Sequence, residues 1–373
     1  MIKVLHFFKT YYPETMGGIE QVIFQLAEGG RAHGIEAEVL SLSTRGAGRD
    51  EMVGHHRAHR SKLDLQVAST GFSASAFKDF AELARQADII HYHFPWPFMD
   101  LVHFASRLNK PTVVTYHSDI VKQKTLLKLY QPLMHRFLRS VDRIVASSPN
   151  YVAHSETLQR FENKVEVIPF GLDESTYPTV DEQRLDHWRE QVGPRFFLFV
   201  GALRYYKGLN YLIEAASKTG LPVVIVGHGH LEQTLRAQAS SLGADSVRFV
   251  GGVDDRDKVA LLKLCEGFVF PSHLRSEAFG ISLLEAAMYG KPMISCEIGS
   301  GTTYINLDGE TGLVAAPRDV DSLADAMRTL WNDPQRAAEM GQNARRRFET
   351  MFSSTTMIDS YVQLYRQLLD RPA

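Results

Sequence analysis

Cysteine is scarce in this sequence: Cys265 and Cys296 are the only two among 373 residues. Both lie in apolar stretches, LLKLCEGFVF and KPMISCEIG, which reads as two buried thiols and excludes a disulfide framework. An excess of charge of one sign is lacking too, with Lys plus Arg at 41 against Asp plus Glu at 43. A general attraction to nucleic acid is therefore not expected, and any basic site must be local. No apolar run approaches the ~20 residues of a membrane-spanning helix. The N-terminal MIKVLHFF has no small-residue cleavage site and reads as a first strand, so a cytoplasmic protein is expected, still able to lie against a membrane. Low-complexity segments and short-period repeats are missing. So is a complete dinucleotide fingerprint: VGHGHLE, Val226 to Glu232, has Gly-x-Gly after a strand without the third glycine, and reads as a loop lining a nucleotide pocket.

What the chain does have is alternation. Strand-like runs in the first half (IKVLHFF, AEVLSL, ADIIHYHF, PTVVTYH, DRIVASS, VEVIPF) are separated by amphipathic stretches such as SAFKDFAELARQ and LLKLYQPLMHRFLRS. The second half repeats the scheme with FFLFVG, PVVIVG, VRFVGG, GFVFPS and KPMISC between helical patterns. Such alternation predicts an α/β protein with two Rossmann-like domains and parallel sheets. The joint is expected near Pro169 to Asp173, dividing the chain into residues 1–170 and 171–353, with 354–373 as a final amphipathic helix returning to the first domain. Open α/β sheets bind ligands beyond the carboxyl ends of their strands, so the expected site is a cleft where two such domains face each other.

Motifs in those positions follow. In RSEAFGISLLEAAMYGKP, Glu277 lies in the loop after GFVFPS, Gly280 allows a tight turn, and Glu285 falls about one turn into the next helix. A helix starting near Gly280 points free amides and its positive dipole end at the loop, which favours a diphosphate, and the two carboxylates suit the hydroxyls of a sugar and a ribose. The plain alternative is two solvated surface glutamates. In FVGALRYYKGLNYLIEAA, Arg204 and Lys207 occupy the loop after a strand, where two cations neutralise a leaving diphosphate without a metal. Gly17 and Gly18, after the first strand, allow close approach of backbone to a ligand or form an ordinary turn. Gly227 belongs to the VGHGH loop. His117 ends the strand PTVVTYH and is a candidate to touch sugar or phosphate.

Other features have plainer readings. His91 and His93 share one strand face by period two, but no third ligand is apparent and a metal is not expected there. Asp255-Arg256-Asp257 and Asp319-Val320-Asp321 each open a helical pattern, which reads as capping rather than cation binding. HFPWPF, His93 to Phe98, either contacts an acceptor sugar or packs. From Arg107 to Arg143 eight Lys/Arg, including Lys110, Lys122, Lys124, Lys128, Arg136 and Arg139, accompany an apolar helical stretch, suited to an anionic membrane surface or to an ordinary packed helix.

Taken together, the Gly-Gly loop, VIPFGLD, FVG…KG, VVIVGHG and the Glu-x7-Glu segment resemble the family-four retaining glycosyltransferases of the GT-B fold, over nearly the whole chain. LRYYKGL, RSEAFGISLLEA and ISCEIGSGTTYIN are similar to bacterial mannosyl- and rhamnosyltransferases that build lipopolysaccharide O-antigen. The resemblance implies an acceptor-side first domain and a nucleotide-sugar-binding second domain. It implies Arg204 and Lys207 on the diphosphate, Glu285 on the ribose, Glu277 on the transferred sugar, His117 beside sugar and diphosphate, Gly18 near the phosphate, and the backbone around Phe279 to Ile281 against the donor. It further implies a GDP-mannose or GDP-rhamnose donor, a lipid-linked glycan acceptor, no metal or cofactor, and a place on the cytoplasmic face of the inner membrane. GSGTTYIN stands where many members carry Gly-Gly-x-x-Glu, which marks a subgroup and weakens transfer of sugar specificity. The residues alone leave a UDP- or ADP-sugar donor open, as well as a NAD-dependent two-domain oxidoreductase or a non-catalytic sugar-nucleotide binder.

Overall fold

A computed structural model describes residues 1–45, 50–67, 70–120 and 124–370. The chain divides into two compact units, one formed by Met1–Gly171 with Ser354–Ala373, the other by Leu172–Ser353.

The first unit begins with β1 (Ile2–Phe7), α1 (Gly18–Gly29) and β2 (Ile35–Ser43). The short β3 (Glu51–Val53), β4 (His56–Lys62), β5 (Leu65–Val67) and β6 (Thr70–Phe72) follow, then α2 (Ser75–Gln86), β7 (Ile89–Phe94), α3 (Pro97–Ser106) and β8 (Thr112–Tyr116). It continues with α4 (Lys124–Ser140), β9 (Arg143–Ala146), α5 (Pro149–His154), α6 (Glu156–Arg160) and β10 (Val165–Val167). Eight strands form one sheet in the order β10-β9-β8-β7-β1-β2-β4-β3, while β5 and β6 pair separately. Only β3 runs antiparallel to its neighbour in the large sheet. β7 and β8 are buried along their whole length, as central parallel strands covered on both faces must be.

One sequence reading changes here, and one left open is decided. β4 was not among the expected strands because HRAHRSK has no apolar alternation. It extends the sheet because its polar side chains find partners: Arg60 bonds Glu51 at 2.8 Å as well as Ser41 and the Tyr12 carbonyl, and His59 lies 2.9 Å from Asp50. The aromatics of HFPWPF pack rather than present a surface: Trp96 and Phe98 are buried, and the Trp96 indole donates to the Gly71 carbonyl at 3.0 Å.

The second unit contains α7 (Glu182–Val192), β11 (Phe197–Val200), α8 (Leu209–Thr219), β12 (Val223–Val226), α9 (Glu232–Ser241) and β13 (Val247–Gly251). Then come α10 (Asp255–Leu264), β14 (Gly267–Phe270), α11 (Ile281–Met288), β15 (Met293–Cys296), α12 (Thr302–Ile305), β16 (Gly312–Ala315), α13 (Val320–Asn332) and α14 (Pro334–Met351). The sheet order is β13-β12-β11-β14-β15-β16, all parallel. β12, β11 and β14 are therefore neighbours, and the loops leaving their carboxyl ends lie side by side although about 50 residues separate Gly227 from Glu277. The chain then re-enters the first unit as α15 (Ser354–Leu369), which packs on α1: the Ile358 side chain sits 2.0 Å from where a Cβ on Gly29 would be. No helix among the described residues is long and apolar enough to cross a membrane.

Candidate functional site

In the second unit the loop after β11 carries Arg204 and Lys207. Gly208 ends it with φ +69°, in a position where a Cβ would lie 2.0 Å from the Pro271 carbonyl oxygen. That close approach binds the loop after β11 to the loop after β14. Gly227 does the same on the other side, since a Cβ there would meet the Gly201 carbonyl oxygen at 2.0 Å. Glycine is required at both positions by backbone contact and by left-handed or near-left-handed geometry.

The pinned loops bring Lys207 and Glu277 together. Lys207 Nζ lies 2.6 Å from Glu277 Oε2, with the two side chains only 10% and 12% exposed. The Ser272 hydroxyl donates to the same oxygen at 3.2 Å, and the ammonium sits 4.4 Å from the Phe270 ring centre. Glu277 Oε1 has no hydrogen bond among the described residues. Arg204, three residues before Lys207, is exposed, and among the described residues its guanidinium forms no ion pair or hydrogen bond. Gly280 (φ +110°) opens α11, and the Phe279 ring is buried 6.1 Å from Phe352. Only the backbone near Phe279 is left to meet a ligand. The amides of Gly280, Ile281 and Ser282 make no hydrogen bond among the described residues, as expected for a free helix start.

Glu285 is held similarly. Tyr177 donates its hydroxyl to Glu285 Oε1 at 3.0 Å, and Lys258 Nζ approaches the same oxygen at 2.8 Å. Burial works against the Lys258 charge, but Glu285 and Asp255 more than offset it and raise its pKa. Oε2 again has no partner among the described residues. Each glutamate thus has one oxygen tethered and one uncommitted, an arrangement suited to accepting a hydroxyl proton. Sequence reasoning did not find Lys258, Tyr177 or Ser272. Each acts through a carboxylate from a distant element, and no local pattern reports that.

In the first unit Gly17 and Gly18 lie exposed at the start of α1. Gly17 has extended backbone (φ −150°), so its glycine is not required by left-handed geometry. A Cβ there would meet the far end of the Glu20 side chain, its carboxylate oxygen at 2.6 Å, which can move aside. His117 follows β8 and is buried, with its ring stacked 5.4 Å from Phe170. Its Nε2 lies 3.0 Å from His93 Nδ1. His91 and His93 also gain the third neighbour that sequence reading did not foresee: β1 pairs with β7 so that His6 stands opposite His91. His6, His91 and His93 have nitrogens within 4.8 Å of one another. Both nitrogens of His91 are already engaged, by Tyr365 and Thr115 at 2.7 Å each, and both of His93 by His6 and His117. The cluster is a hydrogen-bonded stack of rings.

The family models that match this chain are "Glycosyltransferase Family 4" over residues 16–176 and "Glycosyl transferases group 1" over 181–347. D-rhamnosyltransferase WbpZ of Pseudomonas aeruginosa is 61% identical over 353 residues, covering 95% of this chain and 93% of that protein. The chain belongs to the family-four glycosyltransferases of the GT-B fold. O-antigen chain mannosyltransferase C of Escherichia coli is 54% identical to this glycosyltransferase, with 99% of each covered. The solved sucrose-phosphate synthase of Thermosynechococcus elongatus matches its fold with a TM-score of 0.82 at 22% identity, over 99% of both chains. Membership sets aside the oxidoreductase.

The remaining features of the glycosyltransferase take structural roles. Cys265 and Cys296 are buried free thiols, and burial pushes Cys296 up to about 12. Asp319 caps α13 by accepting the Ser322 amide at 3.0 Å, and Asp321 pairs with Lys218 at 2.6 Å. In the other triplet the cap is the preceding residue, Asp254, while Asp257 accepts from Arg184 at 2.6 Å and from the Trp188 indole at 2.8 Å. Asp255 pairs with Lys258 at 3.0 Å. Along the basic stretch, α4 buries Met134, Phe137 and Leu138 but leaves Leu126 and Leu129 exposed beside Lys128. Arg136 covers the Phe104 ring at 4.9 Å, and Lys122 lies outside the described residues.

Proposed function

We propose that this glycosyltransferase moves mannose or D-rhamnose from a GDP-sugar to a lipid-linked glycan in O-antigen synthesis, with retention at the anomeric carbon and without a metal. The relatives' names, a D-rhamnosyltransferase and an O-antigen mannosyltransferase, support the sugar and the pathway. One observation in the second unit carries the chemistry. Lys207 is paired to one oxygen of Glu277, in the loop that leads into α11, and Arg204, which forms no ion pair or hydrogen bond among the described residues, lies in the same loop as Lys207. Such a cluster suits a diphosphate, and the free oxygens of Glu277 and Glu285 suit hydroxyls of the transferred sugar and the ribose. All four carboxylates of the Asp-x-Asp triplets are engaged by amides or cations, which favours charge neutralisation by Arg204 and Lys207 over a metal held there.

In this reading the C1–O bond to the β-phosphate breaks as the acceptor oxygen bonds to C1 from the same face. The acceptor proton passes to the departing phosphate oxygen. Lys207, Arg204 and the α11 amides stabilise the negative charge that develops there. His117 contacts sugar or phosphate, and Gly18 lies near the phosphate.

A thermal-shift screen against GDP, UDP, ADP, TDP and NAD, with EDTA throughout, tests donor class and metal independence together. A ligand at 100 times its Kd adds about 2.7 kcal/mol, an easily read shift. A shift confined to GDP is expected, whereas a UDP or ADP preference would discard the donor assignment. The same reading includes peripheral contact with an anionic membrane through Leu126, Leu129 and Lys128. Flotation with phosphatidylglycerol vesicles tests it: Leu126→Glu with Leu129→Glu should abolish co-flotation, and unchanged co-flotation would exclude this face.

A further inference from the structure

The first unit contains a row of imidazoles of which donor binding as described above uses only His117. His6, His91, His93, Thr115 and His117 lie on one face of β1, β7 and β8 because period two and strand register align them. Tyr361 and Tyr365, one helical turn apart on α15, cover that face. Within the group two separate networks exist. His91 is tied to Tyr365 and Thr115, and Thr115 to Tyr361. His6, His93 and His117 form a chain of their own, His6 Nδ1 to His93 Nε2 at 3.1 Å and His93 Nδ1 to His117 Nε2 at 3.0 Å. The chain ends at His117 Nδ1, which has no hydrogen-bond partner among the described residues.

We infer that His93 is a positioning residue for transfer: its Nδ1–H donates to His117 Nε2, which fixes His117 as a neutral donor through Nδ1, and His6 orients His93 in the same way. The inference rests on the proposed role of His117 at the donor. A neutral imidazole carries one proton, so each link of the chain dictates the next. Burial keeps the row neutral: it lowers His6 and His117 to about 3, helped by His56 and by Lys9 respectively, and holds His93 well below its usual range. Two arrangements are self-consistent, with all protons directed toward His117 or all directed toward His6. An anionic phosphate oxygen or a hydroxyl lone pair at Nδ1 selects the first. A chain poised this way supplies a donor without placing a second positive charge near Lys9, and without the desolvation cost of an imidazolium.

Nitrogen-15 NMR of imidazole-labelled protein tests this directly in the wild type, with and without GDP. His117 is expected to show a protonated Nδ1 and an unprotonated Nε2 in the GDP complex. The opposite tautomer would overturn the proposal even if GDP binds, whereas no GDP response at all would count against the donor reading instead. Kinetics supply the second arm. His93→Gln should lower kcat by about tenfold with donor KM within a factor of about two, because the lost interaction acts through His117 orientation. His91→Gln removes an equally buried ring from the neighbouring network and should leave both the His117 tautomer and kcat unchanged. Equal losses in the two variants would reduce His93 to a packing role.

Discussion

Replacing Glu277 by Gln separates binding from turnover at this site. The substitution keeps shape and one acceptor oxygen but removes the charge facing Lys207. At 2.6 Å, and at an effective dielectric of about 20, the pair attracts by about 6 kcal/mol before desolvation is counted. Breaking a buried pair by removing one partner costs about 3–5 kcal/mol. The low end applies here because Gln still accepts from Lys207 and the Phe270 ring still faces the ammonium. For a unit of this size, about 3 kcal/mol lowers Tm by roughly 6–12 °C.

Ligand response should move the other way. In the unliganded wild type Lys207 is engaged by Glu277, so a diphosphate competes for it. In the variant that competitor is weakened, and GDP affinity should stay level or rise by up to about tenfold, equivalent to about 1.4 kcal/mol. Turnover should nevertheless fall by about a hundredfold or more, because the carboxylate expected on the transferred sugar is gone. Thermal-shift titration with GDP and initial rates with GDP-mannose, both in EDTA, read the two quantities. A variant that loses GDP affinity in step with turnover would refute the competition. A variant with near-wild-type turnover would remove Glu277 from the chemistry.

Lys258→Met unties one of the two groups on Glu285 Oε1, so donor KM should rise about tenfold with kcat nearly unchanged, as steady-state kinetics would record. Gly208→Ala places a methyl against the Pro271 carbonyl in left-handed backbone and should cost at least about 2 kcal/mol, measured by denaturant midpoint. Because His6 and His117 have folded pKa values near 3, below the unfolded 6.5, the stability they confer is full above about pH 6.5 and is lost as pH falls toward 3. Each contributes a slope of about 1.4 kcal/mol per pH unit in that window, so urea midpoints of the wild type should fall between pH 6.5 and 4, and His6→Phe should flatten the decline.

The parallel strands were legible because burial on both faces demands apolar runs, and β7, β11, β12 and β14 have them. β4 was not, since its sheet position rests on bonds from Arg60 and His59 to residues before it in the chain rather than on an apolar face. Gly227 and Gly280 were singled out in sequence for their loop positions and Gly208 was not, and the structure supplies the reason at each: positive φ, or a carbonyl where a Cβ would go. For the glutamates, the spacing alone said little. What distinguishes them is which second group holds each one, Lys207 with Ser272 and Lys258 with Tyr177, and those partners come from separate loops and helices.

The histidine row shows where such reading stops. Period two places His91 and His93 on one face from sequence alone, yet it leaves open what lies opposite. That depends on the register of β1 against β7, which sets His6 beside His91, and on α15 crossing that face with Tyr361 and Tyr365. A one-residue slip in that register would put Leu5 or Phe7 opposite His91 and turn His6 to the other side of the sheet. The low pKa values, the two separate networks and the Nδ1 of His117 that no described residue engages all depend on that alignment. Register is set by the summed burial of every strand in the sheet, so a chemically specific arrangement here arises from a packing decision that no single motif encodes.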